Sequence, residues 1–544
     1  MTETHSVLNQ TPPMPGRDVF SQDTALREAV AAFGGESAVP GLSTVGQAAG
    51  EPIWRERGLE ANRDLPRLQT HDRYGNRVDE VAFNPAWHEL MRFSVEHQLH
   101  AAPWASTDKA AHLERAGKFV IWTQVEPGHL CPISMTYAAI PALRSDPDVD
   151  TSWIDGLSAS SYDFGLSNPA EKAGLIAGMT MTEKQGGSDV RQNTTTATRQ
   201  SDGTYLITGH KWFCSAPMSD VFLILAQAPD GLTCFIIPRV LPDGTRNVFR
   251  IQRLKEKLGN KSNASSEIEF AGTVGLRLGP EGRGVRTIVE MVSATRLDTV
   301  LGATGLMRGS LSQAIWHAEH RVAFGAPLID KPLMRNVLAD LALETEAATW
   351  LAMRLASAVD AAEQGDEGAR LLRRIALPAA KYYTTKRSIS VTAEALECLG
   401  GNGYAEESGM PLNYREAPVN SVWEGSGSVN ALDLLRAITR EPASLDALIS
   451  ELGAARGASS EYDAAVEALL GEFGDITDLE YRARRLAERV AILLQASLLL
   501  RYSPSAVADA FVASRVAGDS GIHYGSLPRG VDTQEIIERA RPVK

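Results

Sequence analysis

Two changes of hydrophobic period divide this chain and decide what it can fold into. From Pro85 to Arg144 apolar residues recur at helical spacing, as in WHELMRFSVEHQLH and AGKFVIWTQVE. Near Leu175 short alternating runs take over: TTTATRQ, TYLITG, DVFLILAQ, LTCFIIPRVL, FRIQRL and SSEIEFAG. Turns of the type SDG, APDG and PDG separate them, which predicts antiparallel strands. Near Gly284 long helical periodicity returns, first to HRVAF, then through PLMRNVLADL to AAEQG, then to LECLGG, with a further helical region after Arg440. At 544 residues the chain is too long for one hydrophobic core, so the order of textures predicts a multidomain α+β protein. The expected boundaries are 1–174 for an arm and helical domain, 175–283 for a β-domain, 284–440 for a helical domain and 441–544 for an additional helical domain. Residues 1 to about 60, with TPPMPG, FGG and VPGLS, read as an extended arm with some helix that lies on a neighbouring subunit, and 151–173 as a polar connector.

Composition narrows the classes. A net charge of −13 argues against a surface built wholesale for nucleic acid, while leaving room for a local basic face. Cys131, Cys214, Cys234 and Cys398 show no CxxC spacing, which predicts reduced, buried thiols with neither a disulfide framework nor a zinc site. His317 and His320 share a helix face without a third ligand, so no metal is expected. MTETHSVLNQTPPMPG has no signal-peptide pattern, and the longest apolar run, AILLQASLLL from Ala491, is about half a bilayer span, so no membrane association is expected and the cytoplasm is the default location. No GxGxxG follows an opening strand, and Walker A, HExxH and GxSxG are absent.

Three segments carry chemistry. In MTMTEKQGGSDV, from Met179 to Val190, a turn rich in Gly, Ser and Thr offers backbone N–H groups and hydroxyls to an anionic or heteroaromatic ligand, and Gly186 and Gly187 permit close backbone approach. The alternative is an ordinary loop between strands. In GHKWFCSA, from Gly209, an aromatic beside a small hydroxyl could wall a planar ring; the alternative is a core aromatic at a strand end. In VNSVWEGSGS, from Val419, Glu424 stands beside Val422 and Trp423, and apolar neighbours would raise its pKa toward that of a base able to accept a carbon-bound proton. The alternative is a solvent-facing Glu at a helix N-terminus.

Taken in order, MTEKQGGSDV, GHKWFCSA, LKEKLGNKSNASSEIEF, HRVAFGAPLIDKPLM, ECLGGNGYAEES and YREAPVNSVWEGSG resemble the acyl-CoA dehydrogenase superfamily, and most closely its DNA-alkylation-response branch. That resemblance covers the arm from HSVLNQ and extends past residue 440, where ordinary members end. It implies an N-terminal helical domain, a central antiparallel β-domain, a C-terminal four-helix bundle and FAD as cofactor. By position, Met179, Met181, Thr182, Gly187 and Ser188 match the flavin loop, with Thr182 facing the ring and Ser188 near the pyrophosphate. Phe213, Cys214 and Ser215 match the segment behind the isoalloxazine. Arg321, with Phe324, matches the arginine that reaches the FAD of a neighbouring subunit, and such a permanently charged fork suits a pyrophosphate. Gly400, Gly401 and Gly403 match the loop near the adenosine half; Val422, Trp423, Gly425, Ser426 and Ser428 close over the flavin. Glu424 aligns with the catalytic base, removing an α-proton while the β-hydrogen leaves as hydride to flavin N5. Relatives with the base on the helix before the arginine matched by Arg296 are excluded as a pattern, because that position is Thr295 here.

Two usual glutamines are replaced, by Glu397 and Pro332, and no CoA-recognition set stands out. The resemblance implies a homo-oligomer, in the family a tetramer, with an acyl-CoA substrate and an electron-transfer partner. Two other functions stand beside dehydrogenation: binding of double-stranded DNA, and oxidation of small alkylating or nitro compounds. For DNA the candidates are Arg436, Arg440, Arg482, Arg484, Arg485 and Arg489, yet residues 441–544 carry 11 Lys or Arg against 16 Asp or Glu, a poor balance for phosphate. The alternative for that stripe is a solvated helix face.

Overall fold

The computed structural model describes residues 4–475 and 477–543. The chain groups into two compact units, one of Met1–Pro52, Asp108–Val125 and Thr299–Lys544, the other of Ile53–Thr107 and Glu126–Asp298.

The second unit is built on a sheet. Strands β1 (Arg67–His71) and β2 (Arg77–Ala82) form an antiparallel hairpin that the hydrophobic pattern does not announce, because β1 buries no residue and its alternation is only between exposed and half-buried. Helix Pro85–Glu96 follows, its N-terminus capped by Asn84, and buries Trp87, Leu90, Met91 and Val95 on one face. The main sheet has seven strands: β3 (Ala177–Thr180), β4 (Thr196–Arg199), β5 (Tyr205–Ser215), β6 (Val221–Ala228), β7 (Gly231–Pro238), β8 (Arg250–Leu254) and β9 (Ser265–Leu278). Their order is β3-β6-β4-β5-β9-β7, with β8 on β9 and a further β6–β7 pairing that closes the sheet on itself. Most neighbours are antiparallel, as expected, but β3 and β4 each run parallel to β6. The chain between β3 and β6, which includes the β4–β5 hairpin, is long enough for the crossover that a parallel pair needs. Ile207, Cys214, Phe222, Ile224, Phe235, Ile237, Phe249 and Phe270 fill the core of this sheet.

The other unit is helical. Helix Gly284–His320 contributes its residues from Thr299 onward; helices Pro332–Glu363 and Glu367–Cys398 form an antiparallel pair around a tight turn where Gly365 takes φ +90° and Asp366 caps Ala369 N–H. The chain beyond residue 440 packs back onto these helices through charge and aromatic contacts. Glu451 binds both Arg354 (2.7 Å) and Arg501 (3.0 Å), Arg539 bridges Glu28 (2.6 Å) and Glu346 (2.8 Å), and Trp350 stacks on Tyr502 with centroids 5.1 Å apart. At the other end of the chain, the arm expected on a neighbour engages its own helix: Thr11 Oγ1 pairs with His317 Nδ1 (2.8 Å) and Trp316 Nε1 donates to the Pro12 carbonyl (2.8 Å). All four cysteines are buried without a disulfide. Among the described residues no group of three metal-ligating side chains occurs, and no helix is long and apolar enough to cross a membrane.

Helix Ala111–Thr123 also belongs to this unit, and Asp360 holds its N-terminus, accepting from His112 N–H (2.9 Å) and Leu113 N–H (2.8 Å). Burial outweighs those donors and pushes the Asp360 carboxyl up to about 7. A carboxyl whose pKa is higher folded than unfolded stabilises fully below its unfolded pKa, and that contribution is lost as pH rises through the folded value. Melting temperature should therefore decline from pH 4 to above pH 7 by a component that Asp360→Asn removes. Thermal melts of the two proteins across that range should diverge in slope; parallel curves would refute the assignment.

Candidate functional site

The site residues of the β-unit begin where β3 ends. Thr180 Oγ1 donates to the Phe213 carbonyl (2.9 Å), and Trp212 N–H donates to the Thr182 carbonyl (2.8 Å), so the 179–188 loop and the 212–215 segment are stitched together. Between them lies a buried ion pair, Glu183 with Lys211 at 2.8 Å, neither side chain exposed. Lys211 spends a second proton on the Leu225 carbonyl (2.8 Å); Glu183 also accepts from Thr194 N–H (2.7 Å), Thr194 Oγ1 (3.0 Å) and Thr195 N–H (3.2 Å). Burial pushes the Glu183 carboxyl up, but the ammonium and these donors win and hold it at about 2. Burial also lowers Lys211, against the pull of Glu183.

With Glu183 anchored, the chain must reverse. Glu183 and Gly186 exchange backbone hydrogen bonds at 3.2 and 3.0 Å, Gly186 takes φ +152° facing open space, and a Cβ at Gly187 would stand 2.4 Å from Thr182 Oγ1. One glycine serves the turn, the other lets the chain close on Thr182. Met179 is buried, Met181 and Thr182 are half-buried and Ser188 is exposed.

On β5 the register with β9 slips between Lys211 and Cys214, three steps against two, which is a bulge. Alternation fails there, so Trp212 is half-buried while its neighbour Phe213 is 50% exposed. Lys255 Nζ lies 3.3 Å from the Trp212 ring centre and 4.7 Å from that of Phe213. Cys214 turns into the sheet core, where burial pushes its thiol up to about 12. Ser215 Oγ contacts Ser265 Oγ (3.3 Å), which accepts from Lys257 Nζ (2.9 Å). Thr295, at the alternative base position, is buried with its hydroxyl against the Val292 carbonyl (3.1 Å).

In the helical unit, Glu424 is half-buried in the left-handed region, φ +55°, in a turn ahead of helix Gly427–Arg440. The next residue, Gly425 (φ +96°), has its carbonyl gripped by Lys381 Nζ (2.5 Å) and Asn430 Nδ2 (2.6 Å), both side chains fully buried. Trp423 Nε1 donates to Asn420 Oδ1 (3.1 Å), Val422 is 65% exposed, and Ser426 and Ser428 are exposed. A Cβ at Gly427 would meet Lys386 Cε at 2.8 Å, where the flexible side chain can give way, and the Tyr382 ring at 3.3 Å.

Other predicted residues lie apart. Gly400 (φ +59°) and Gly401 face open space at the end of helix Glu367–Cys398, whereas Gly403 is a packing glycine whose Cβ would strike the Leu396 carbonyl at 2.2 Å. That helix end is about 25 Å along the axis from Lys381, at 1.5 Å per residue. Glu397 is exposed on its last turn and Pro332 opens helix Pro332–Glu363. Arg321 begins a short hairpin and Phe324, at its tip, is 96% exposed. The arginine stripe is divided. Arg482, Arg485 and Arg489 all converge on Glu472, whereas Arg484 reaches the Tyr382 hydroxyl (3.3 Å) on another side; Arg436 and Arg440 are exposed one turn apart. Lys211, Lys381 and Asn430 escaped sequence reasoning, although a lysine amid LPAAKYYTT on an apolar helix face is a visible signal.

Three family models match the chain: the adaptive response protein AidB N-terminal domain over residues 9–164, the acyl-CoA dehydrogenase middle domain over 178–273 and the acyl-CoA dehydrogenase C-terminal domain over 282–439. The putative acyl-CoA dehydrogenase AidB of Escherichia coli K12 is 43% identical over 511 residues, 94% of each chain. The chain belongs to the acyl-CoA dehydrogenase family, in its AidB group. Acyl-CoA dehydrogenase family member 11 of Caenorhabditis elegans is 33% identical over 395 residues, 70% of this chain and 63% of that protein. Among solved structures, C. elegans ACDH-11 in complex with C11-CoA superposes with a TM-score of 0.84 at 26% identity, covering 96% of this chain and 94% of its own. Butyryl-CoA dehydrogenase of Megasphaera elsdenii shares the fold at TM-score 0.57 and 20% identity, over 77% and 97% of the two chains.

If the buried ion pair sets the 179–188 loop, Lys211→Met should strand Glu183 and cost about 3–5 kcal/mol, whereas Lys211→Met with Glu183→Gln should recover part of it. Denaturant melts of the three proteins check this; a single variant as stable as the native protein would end the claim.

Proposed function

We propose that this AidB-group protein is an FAD-dependent dehydrogenase that desaturates acyl-CoA thioesters with Glu424 as the base, as a cytoplasmic homotetramer linked to the DNA-alkylation response and passing electrons to a separate carrier. The observation that carries the reading is the Glu424 turn. A glutamate at positive φ is costly for a residue with a Cβ, and such backbone persists where neighbours over-determine it. Here Lys381 and Asn430 do so through the Gly425 carbonyl. The grip restrains the peptide that follows Gly425, one residue beyond Glu424, and so pre-positions the base before a substrate arrives.

The residues present fit FAD. Phe213 offers an exposed aromatic face and Ser215 a hydroxyl, Thr182 is held beside Gly187 with its carbonyl tied to Trp212, and Gly400 and Gly401 leave room that a side chain would fill. FAD, when bound, supplies a hydride acceptor at N5. Glu424 takes the α-proton of the thioester as its β-hydrogen departs, and the half-buried Trp423 beside it limits the water that would compete for the carboxylate. The separation of Gly400 and Gly401 from the Glu424 turn supports their serving the cofactor of another copy, as does the fully displayed Phe324 of the Arg321 hairpin. Both favour an oligomer.

Binding of duplex DNA rests on Arg436, Arg440 and Arg484, because Arg482, Arg485 and Arg489 already face Glu472. A salt-dependent mobility shift with duplex DNA tests it, and oxygen consumption with alkylating or nitro compounds tests the oxidase alternative.

For the dehydrogenase, a panel of acyl-CoAs should bleach the absorbance of bound FAD. Glu424→Gln should keep its flavin yet lose bleaching by about 10²–10⁴-fold in rate, the usual contribution of a positioned base. Unchanged bleaching in that variant, or none with any thioester in the flavin-replete protein, would defeat the proposal.

A further inference from the structure

The N-terminal arm ends its path at the hairpin that carries Arg321. This hairpin is minimal: Val322 pairs with Pro327 and Ala323 with Ala326, and Pro327 has no N–H to give. Its two turn residues, Phe324 and Gly325, both take positive φ, +52° and +79°, as a two-residue hairpin turn demands, but phenylalanine is a poor occupant of that region. A two-stranded ribbon of this length does not hold its shape unaided.

Asn9 braces it. Its side-chain amide acts as a surrogate peptide, Nδ2 donating to the Val322 carbonyl and Oδ1 accepting from Val322 N–H, both at 2.8 Å. Its backbone carbonyl accepts from Arg321 Nη1 at 2.6 Å. One residue of the arm thus holds the main chain of the hairpin and the guanidinium itself. Asn9 takes φ +56° to do this, a conformation that asparagine tolerates better than most residues. Two further bonds hold the arm in place, Thr11 to His317 and Trp316 to the Pro12 carbonyl. On the opposite side Lys331 Nζ donates to the Phe324 carbonyl (2.9 Å). Among the described residues the Arg321 guanidinium donates to the Asn9 carbonyl through Nη1, which leaves its other donors to face an anion.

We propose that the N-terminal arm is part of cofactor binding, with Asn9 a positioning residue that sets the Arg321 guanidinium and its hairpin for the phosphates of FAD. The inference rests on the flavoprotein reading above and adds a role for a segment lying more than 300 residues before the arginine it serves. Without the Asn9 side chain the hairpin loses both amide bonds to Val322, and the residue 9 carbonyl that meets Arg321 loses the anchor that fixes it, so the cofactor should be held less tightly while the fold persists. Asn9 itself is exposed and packs in no core.

The test is titration of apo-protein with FAD, followed by flavin fluorescence, for the native protein, Asn9→Ala, Arg321→Ala and the double variant. Asn9→Ala, which keeps the main-chain carbonyl but removes both amide bonds to Val322, should raise the Kd about tenfold, the scale of one or two lost hydrogen bonds. Arg321→Ala should raise it at least as much, and the double variant should bind no worse than Arg321→Ala alone, because Asn9 acts through that arginine. Thr11→Val, which loosens the arm and keeps Asn9, should give a smaller rise. An unchanged Kd in Asn9→Ala, or a full additional loss in the double variant, would overturn the inference while leaving the flavoprotein reading intact. A native protein that takes up no FAD would overturn both.

Discussion

An ammonium group sealed from water needs a carboxylate beside it, and in the β-unit that requirement organises everything around the loop after β3. Lys211 enters the interior because it occupies an inward position on β5, and Glu183 must follow it there. Once Glu183 is committed, the residues on either side have little freedom. Thr182 is carried against Trp212, and the chain must reverse within three residues, which is where the paired glycines are needed. Such a pair adds little net stability over an apolar substitute of the same shape, since desolvation consumes most of the attraction. Its consequence is positional: the loop has one place to be.

The helical unit uses buried charge in the same way. Glu344 is almost wholly buried, and although burial pushes its carboxyl up, Arg387 and Arg515 hold it at about 2. Arg515 also binds Asp340, so one arginine from the region past residue 440 is held by two carboxylates of helix Pro332–Glu363. Lys381, on the neighbouring helix, is buried too, and it donates to a peptide carbonyl, that of Gly425. Ion pairs lock the extension to the bundle, and the lysine–carbonyl bond steadies the turn beside a glutamate.

What the sequence discloses and what it conceals follow the same division. The continuous apolar runs of β6 and β7 and the long helical periods read directly, because burial on one or both faces writes itself into residue type. The glycine-rich turns at 186–187 and 424–427 were legible for the same local reason, each needing a conformation or a clearance that only small residues provide. The β1–β2 hairpin was not legible, since its faces differ little in exposure. Nor was the bulge at Trp212 and Phe213, which depends on register against β9, some 55 residues later. Pairings such as Lys211 with Glu183, or Asn9 with Val322, join residues whose identities carry no mark of their partner.

The arginine stripe shows how far a sequence pattern can stand from a surface property. Tyr481-Arg-Ala-Arg-Arg485 with Arg489 reads as one basic face, yet Arg482, Arg485 and Arg489 are spaced to point the same way and meet a single acidic residue, Glu472, at the end of the preceding helix. One carboxylate shared among three guanidiniums leaves local positive charge, but the chain nearby supplies Asp475 as well, 3.7 Å from Arg482. Arg482 is further occupied by the carbonyls of Asp475 and Thr477, so it caps a helix end rather than facing solvent. Arg484, one residue on, leaves the stripe altogether and lies over the Tyr382 ring at 5.5 Å, beside the helix that grips the Glu424 turn. A run of like charges therefore resolves into helix capping, interhelical pairing and a contact with Tyr382 of the helix that carries Lys381, and an acidic domain needs its few arginines for all three.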